Sequence, residues 1–280
     1  MTTQRTPLAE LLPDTVSWRW LPFGFTDFGV ASVQVGTTAI FSGGAGSGKT
    51  RALRAVAVQA LAREHELVVL CGGGKSSFDY SDLQPWVGNI SSGADRWNQS
   101  VELEVAAASL ERIVSERVNR TVDTRPLTLA IDEAGSLLEG YNTVPEGLEP
   151  AHPYMAELRR EADARQRIRF TLDRLVRHCR LVNITLVIGV QRFDSGTIPP
   201  DMRAFAATRV LLRNPGSGSI GSPETLRMMF GPKAGAEEIG MDDATDGLAT
   251  LNGSVPIPIR VVGVPRDLRE LLEDRGLDCR

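Results

Sequence analysis

An α/β fold with a mostly parallel sheet is predicted for this 280-residue chain by three features. Short apolar runs alternate with segments whose apolar residues recur at helical spacing, the pattern of a sheet covered on both faces. One early run, "TTAIFSG" (37–43), breaks into a glycine-rich loop that fits G-x-x-x-x-G-K-T from Gly43 to Thr50. Two later runs end in polar residues: "PLTLAIDE" (126–133) in two carboxylates, and "NITLVIGVQR" (183–192) in Gln191 and Arg192. With the loop on the first strand of the series, the class is a RecA-like P-loop NTPase domain with short β additions at both ends.

The elements follow in order. Residues 1–13 are a polar lead with an amphipathic patch from Leu8 to Leu12. From 14 to 37, aromatic and small residues alternate around Gly24 and Gly29, which reads as two or three short strands in a hairpin. Residues 1–36 are therefore expected to form a β segment packed on the main domain, 37–280. After the loop, "TRALRAVAVQALARE" (50–64) is a helix, so the strand-before, helix-after context of the motif is met. "LVVLCGG" (67–73) is a second buried strand and 101–120 a long helix. A Gly- and Pro-rich loop is expected over 139–153, then a charge-laced helix over 154–180. A strand at 207–214, a helix at 222–231 and a closing strand pair at 247–253 and 257–264 complete the chain. There is no internal repeat, low-complexity block or linker.

Composition narrows the setting. No apolar run approaches the ~20 residues of a membrane span, and the first residues lack the apolar core of a secretory signal. Cys71, Cys179 and Cys279 have no metal-ligand spacing, and an odd, sparse count suits a reducing compartment, so a cytoplasmic protein is expected. A net charge of −4 argues against simple charge-driven coating of nucleic acid but leaves room for a local basic surface. Such a stretch exists: Glu157 to Arg180 holds eight arginines against four acids. It could track phosphates without reading bases, or be a solvated face held by pairs such as Glu161–Arg165 and Asp173–Arg177.

The loop residues Gly43, Gly44, Ala45, Gly46, Ser47, Gly48, Lys49, Thr50 and Arg51 are the expected nucleotide contacts. Glycines let successive backbone N–H groups turn toward phosphate oxygens, and the helix that follows adds its positive end. Lys49 is expected at the β- and γ-phosphates, and the Thr50 hydroxyl on Mg²⁺. Asp132 ends an apolar strand and is the candidate metal carboxylate; Glu133, next to it, is the candidate general base for water. Gln191 is the candidate γ-phosphate sensor. The cofactors are thus ATP and Mg²⁺, and the carboxylate pair favours hydrolysis over binding alone.

Together these pieces resemble the FtsK/SpoIIIE-type motors of the HerA–FtsK group of P-loop ATPases, over most of the chain. "LPFGFTDFGVASVQVG" is similar to that family's β segment before the phosphate loop, and "LERIVSERVNR" to its helix ending in Glu and paired Arg. "IDEAGSLL" resembles its Asp-Glu strand, "RLVRHCRLVNITLVIGVQR" its helix running into an "ATQR" strand, and "ATRVLLR" its "TRIAFR" strand. "GLATLNGSVPIPIRVVGV" parallels its closing segment. The resemblance implies a homo-oligomeric ring, usually hexameric, that threads double-stranded DNA and hydrolyses ATP at subunit interfaces. It also implies an arginine lent by the neighbouring protomer, with Arg120 the first candidate and Arg117, Arg180 and Arg209 behind it.

Three departures stand out. "GGGK" (72–75) replaces an Asp-Pro-Lys-Gly stretch, and 139–165 is longer than expected. Membrane-anchoring and winged-helix segments are not found, which suggests a bare motor like those of phages or mobile elements. Two alternatives remain: a related motor that moves protein, and a nucleotide-gated assembly module without translocation.

Overall fold

The apolar run ahead of the glycine loop is a strand, Thr38–Ser42, with every residue buried. Around it, the computed structural model describes residues 17–72, 77–86, 89–92, 99–119, 125–139, 153–194, 196–215, 219–232 and 245–264. In chain order the strands are β1 (Trp20–Thr26), β2 (Gly29–Gln34), β3 (Thr38–Ser42), β4 (Glu66–Cys71), β5 (Asn89–Ser92), β6 (Leu127–Asp132), β7 (Ile184–Val190), β8 (Ala206–Leu212), β9 (Gly247–Leu251) and β10 (Ile257–Val261). The helices are α1 (Lys49–Leu61), α2 (Gln99–Asn119), α3 (Ala134–Leu138), α4 (Pro153–His178), α5 (Pro200–Phe205) and α6 (Pro223–Phe230). A 3₁₀ segment, Ser77–Trp86, lies between β4 and β5.

The ten strands form one sheet in the order β2–β1–β10–β9–β8–β3–β7–β6–β4–β5. From β8 to β5 every neighbouring pair is parallel. Such pairs need crossovers, which the helices supply. From β2 to β8 every pair is antiparallel. The β additions expected at the two ends of the chain therefore meet on one flank, where β1 pairs with β10.

Strand periodicity divides the core in two. Along β7, Ile184, Leu186, Ile188 and Val190 face the layer that holds α2, α4 and α5, whereas Val187 faces α1. Along β3, Ile40 points to the first layer, and Ala39 and Phe41 to the second. The hairpin joins that second layer: Leu21, Phe23, Ala31 and Val33 are fully buried in it, and Phe23 meets Phe41 edge-on at 5.0 Å between ring centres. The expected boundary at residue 36 thus falls between two strands of one sheet.

Several boundaries move. The second buried strand stops at Cys71, and the strand expected at 207–214 runs from Ala206 to Leu212. The 3₁₀ segment and β5 were not foreseen. "NISS" has a single apolar residue and hence no period to read, and among the described residues it pairs only with β4. The Leu8–Leu12 patch, most of the 139–153 loop and Cys279 lie outside the described residues; Cys71 and Cys179 are buried. No helix among the described residues is long and apolar enough to cross a membrane.

Candidate active site

Parallel pairing brings the C-terminal ends of four strands to one edge of the sheet. Ser42 of β3 pairs with Val190 of β7, Ile188 of β7 with Ile131 of β6, and Asp132 of β6 with Cys71 of β4. The glycine loop, Gln191, the Asp132–Glu133 pair and Gly72 therefore emerge side by side. Because β7 lies between β3 and β6, Gln191 leaves the sheet between the phosphate loop and the carboxylates. That is where a side-chain amide could sense a terminal phosphate.

The loop's glycines are used where the backbone requires them. Gly46 and Gly48 take φ values of 74° and 95°, the left-handed region that costs other residues strain. Helix α1 then begins at Lys49 with no side-chain cap, which leaves its first N–H groups turned toward the loop. The Lys49 ammonium donates to the Gly43 and Gly44 carbonyl oxygens at 2.6 and 3.0 Å, so it sits within the loop's curl. Two buried polar atoms here, Ser47 Oγ and Arg51 Nε, have no hydrogen-bond partner among the described residues. Orphaned polar groups lining a glycine cradle fit a phosphate-bearing ligand. Arg51 also pairs with Asp246 at 3.3 Å, which ties the loop helix to the antiparallel flank.

Asp132 is fully buried, and its carboxylate is held from several sides. Thr50 Oγ1 donates to Oδ2 at 2.7 Å, the Tyr80 hydroxyl donates to the same oxygen at 3.2 Å, and the Glu133 N–H donates to Oδ1 at 3.0 Å. Burial, with the Asp132 charge beside it, pushes the Tyr80 hydroxyl well above its ordinary pKa, so it is a donor. Gly189 makes room for this carboxylate, since a Cβ there would lie 3.1 Å from Asp132 Oδ1. A hydroxyl and a carboxylate beside a phosphate loop are hard oxygen donors of the kind Mg²⁺ takes, and it needs few from the protein. Among the described residues no group of three or more His, Cys, Asp or Glu could hold a metal by themselves.

Glu133 is buried and adopts a left-handed backbone, φ 55° and ψ 44°, uncommon for a residue with a side chain. It caps α3, and its carbonyl accepts from the Ser136 N–H at 3.1 Å and the Ser136 hydroxyl at 2.8 Å. Gly72 lies against this turn: a Cβ there would approach Ser136 Oγ to 2.0 Å and the Glu133 carbonyl oxygen to 2.6 Å. The first glycine of "GGGK" is thus a packing requirement; residues 73–75 lie outside the described set. Gln191 is exposed and lines a cavity of about 340 Å³ with Gly43, Gly44, Arg192, Asn214 and Glu224.

The sequence matches no family model and no curated protein. Solved structures do match in shape. The pCW3 conjugation coupling protein TcpA, determined as a monomer with ATPγS, superposes with a TM-score of 0.64 at 15% identity, covering 93% of this chain and 70% of its own. ATPases 2 and 3 of Thermomonospora curvata EccC, in complex with a signal sequence peptide, give 0.60 at 12% identity, with 95% and 44% covered. The same pair of ATPases of Geobacillus thermodenitrificans EssC gives 0.58 at 12% identity, with 92% and 48% covered. This chain therefore spans less than half the length of the EccC and EssC chains. The chain has the fold of these ATPase domains.

Within this fold the arginines can now be placed. Arg120 lies outside the described residues. Arg117 is buried, bonded to Glu66 and the Arg125 carbonyl, both at 2.5 Å, at the sheet edge opposite the phosphate loop. Arg180 backs onto Gly36 at that same far edge. Arg209 lies within β8 and donates to the Met229 carbonyl at 2.9 Å. On α4, Arg165 bonds the Ser136 carbonyl, Arg167 pairs with Glu111 at 2.5 Å, and Arg177 pairs with Asp201 at 2.5 Å. The expected pairs Glu161–Arg165 and Asp173–Arg177 form, but at 3.9 and 3.7 Å they are the looser contacts. Arg159, Arg160 and Arg174 remain exposed.

Two site residues escaped the sequence reading. Asn214, past the end of β8, accepts the Gly44 N–H at 2.8 Å, and Pro215 packs near Gly46. An Asn-Pro-Gly turn after an apolar strand marks a strand end, but nothing local says which loop it reaches. Tyr80 sits on the unforeseen 3₁₀ segment and had no signal at all.

Proposed function

We propose that this FtsK-type domain hydrolyses ATP and uses it to translocate double-stranded DNA, working as a homo-oligomeric ring, of six subunits by resemblance. The observation that carries the hydrolytic part is the joining of Thr50, at the end of the phosphate loop, to the Asp132–Glu133 pair across one intervening strand. Lys49 and the loop N–H groups would hold the phosphates, and Thr50 and Asp132 would hold Mg²⁺, which neutralises phosphate charge when bound. Glu133 would take the proton of the attacking water, while Gln191 orients it. An arginine from the neighbouring protomer, Arg120 by position, would complete the site.

Support for DNA as the substrate comes from the exposed α4 arginines and from the likeness to a conjugation coupling protein. A second reading, a motor acting on polypeptide, has its own observation. Beside α4 runs a groove of about 800 Å³ lined by Glu111, Asp163, Asp173 and Asp201 as well as Arg167 and Phe170. Mixed charge around an exposed aromatic suits a peptide better than a phosphate backbone. The deciding experiment is steady-state ATP hydrolysis without DNA, with single-stranded DNA and with linear duplex, using Lys49→Ala as blank. Stimulation that grows with duplex length is expected; hydrolysis indifferent to DNA moves the weight to a protein substrate.

A further inference from the structure

We propose that Tyr80 is a positioning residue for the metal site: its hydroxyl, together with that of Thr50, fixes the plane of the Asp132 carboxylate. The inference rests on the reading of Asp132 as the metal carboxylate. A carboxylate's terminal torsion is broad and roughly two-fold, so a buried Asp needs external donors to present one oxygen reproducibly. Here two hydroxyls from different elements converge on Oδ2, at 2.7 and 3.2 Å, while Oδ1 is held by the Glu133 N–H. Tyr80 is fully buried and belongs to no strand or α-helix of the sheet edge.

Its placement is nevertheless rigid, because the 3₁₀ segment is clamped to the phosphate-loop helix. Arg54 of α1 forks onto both Asp82 oxygens at 2.7 and 2.6 Å and also bonds the Asp79 carbonyl. Thr50 and Arg54 lie one helical turn apart on α1, so that helix sets both donors to Asp132: Thr50 directly, and Tyr80 through Arg54. Outer-shell hydrogen bonds of this kind typically carry a 10–100-fold effect on metal affinity. At 3.2 Å the Tyr80 bond is longer than the usual O–H···O range, which puts its effect near the bottom of that range of affinities.

The experiment uses the full chain, Mn²⁺ as the probe and a non-hydrolysable ATP analogue. Bound Mn²⁺ is read by electron paramagnetic resonance, and nucleotide affinity is measured separately in EDTA. Tyr80→Phe keeps the ring and removes only the hydroxyl. It is expected to leave EDTA-state nucleotide affinity within about twofold and to raise half-saturating Mn²⁺ roughly tenfold. Asp82→Asn weakens the Arg54 clamp that places Tyr80 and is expected to raise half-saturating Mn²⁺ in the same direction but by less than Tyr80→Phe does. Parental Mn²⁺ binding by Tyr80→Phe, or a larger shift in Asp82→Asn than in Tyr80→Phe, overturns the proposal. Asp132→Asn separates the two levels: if it binds Mn²⁺ like the parent, the metal-site reading itself fails, whatever Tyr80 does.

Discussion

The Thr50 hydroxyl donates to Asp132 Oδ2 at 2.7 Å, joining the first turn of the phosphate-loop helix to the end of a strand two places away in the sheet. With its hydrogen committed to the carboxylate, the Thr50 oxygen keeps its lone pairs for a cation. Thr50→Ala is therefore expected to weaken Mg²⁺-supported nucleotide binding roughly tenfold or more while sparing binding in EDTA, and Thr50→Ser to restore it. Titration with a fluorescent ATP analogue in the two buffers reads the difference. Equal losses in both would mean that Thr50 acts on phosphate or fold rather than on metal.

Glu133 follows Asp132 directly, yet its left-handed backbone sends the chain into α3 instead of extending the strand. As general base it should be dispensable for binding and costly for turnover. Glu133→Gln is expected to retain ATP with near-parental affinity and to lose about 10²–10⁴-fold in steady-state hydrolysis. A variant with parental turnover would remove Glu133 from the chemistry.

What could be read in advance depended on whether a residue's partner is near in sequence. The glycine loop and Asp132–Glu133 were legible because each is a local pattern: an apolar strand, a turn, then fixed residue types. The parallel core followed from the same alternation of runs and helices. Asn214 could not be read, because it meets Gly44 only through pairing of β8 with β3. Tyr80 was hidden for a similar reason, since a 3₁₀ segment has no apolar period and its partner Asp132 is 52 residues away in the chain. The meeting of β1 with β10 also depends on distant pairing, although each hairpin was visible by itself.

Gly72 and Gly189 carry a steric test of the site. At Gly72 an added methyl meets Ser136 Oγ and the backbone oxygen of Glu133, and the latter can yield only by moving the α3 turn. At Gly189 it meets Asp132 Oδ1 and Leu53 Cδ2, both at 3.1 Å, a tight fit with some give. Gly72→Ala should cost about 1–3 kcal/mol, and Gly189→Ala should fall toward the lower end of that range. Both should reduce hydrolysis beyond what the folded fraction explains. Urea denaturation paired with activity per folded molecule checks this.

His65 gives a pH dependence of stability remote from the site. Its Nδ1 lies 3.0 Å from Thr128 Oγ1; burial, reinforced by the Arg63 charge, pulls its pKa from 6.5 down to about 4. The unfolded chain then binds a proton that the folded chain refuses between those values. The stabilisation is full above pH 6.5 and is lost as pH falls toward 4, on the order of 3 kcal/mol over the window. His65→Gln is expected to flatten that part of the stability profile. Chemical denaturation at pH 7.5, 6 and 4.5 would expose a profile that the substitution leaves unchanged.

Arg117 allows an arginine of structure to be told from one of catalysis. Its guanidinium is 3% exposed and pairs with Glu66, which is 38% exposed, so removing it takes an ion-pair partner from a carboxylate that water can partly reach. Breaking a fully buried pair costs roughly 3–5 kcal/mol, so Arg117→Ala should cost less, about 2–3 kcal/mol. Lying at the far edge of the sheet, it should leave hydrolysis per folded molecule unchanged. A lent arginine behaves the opposite way, and Arg120→Ala is expected to keep the melting temperature while hydrolysis falls by about 10³-fold or more. Mixing Arg120→Ala with Glu133→Gln subunits sharpens the test: in a ring, each variant supplies what the other lacks, and partial activity should return. If Arg117→Ala loses hydrolysis without losing stability, the two assignments must be exchanged.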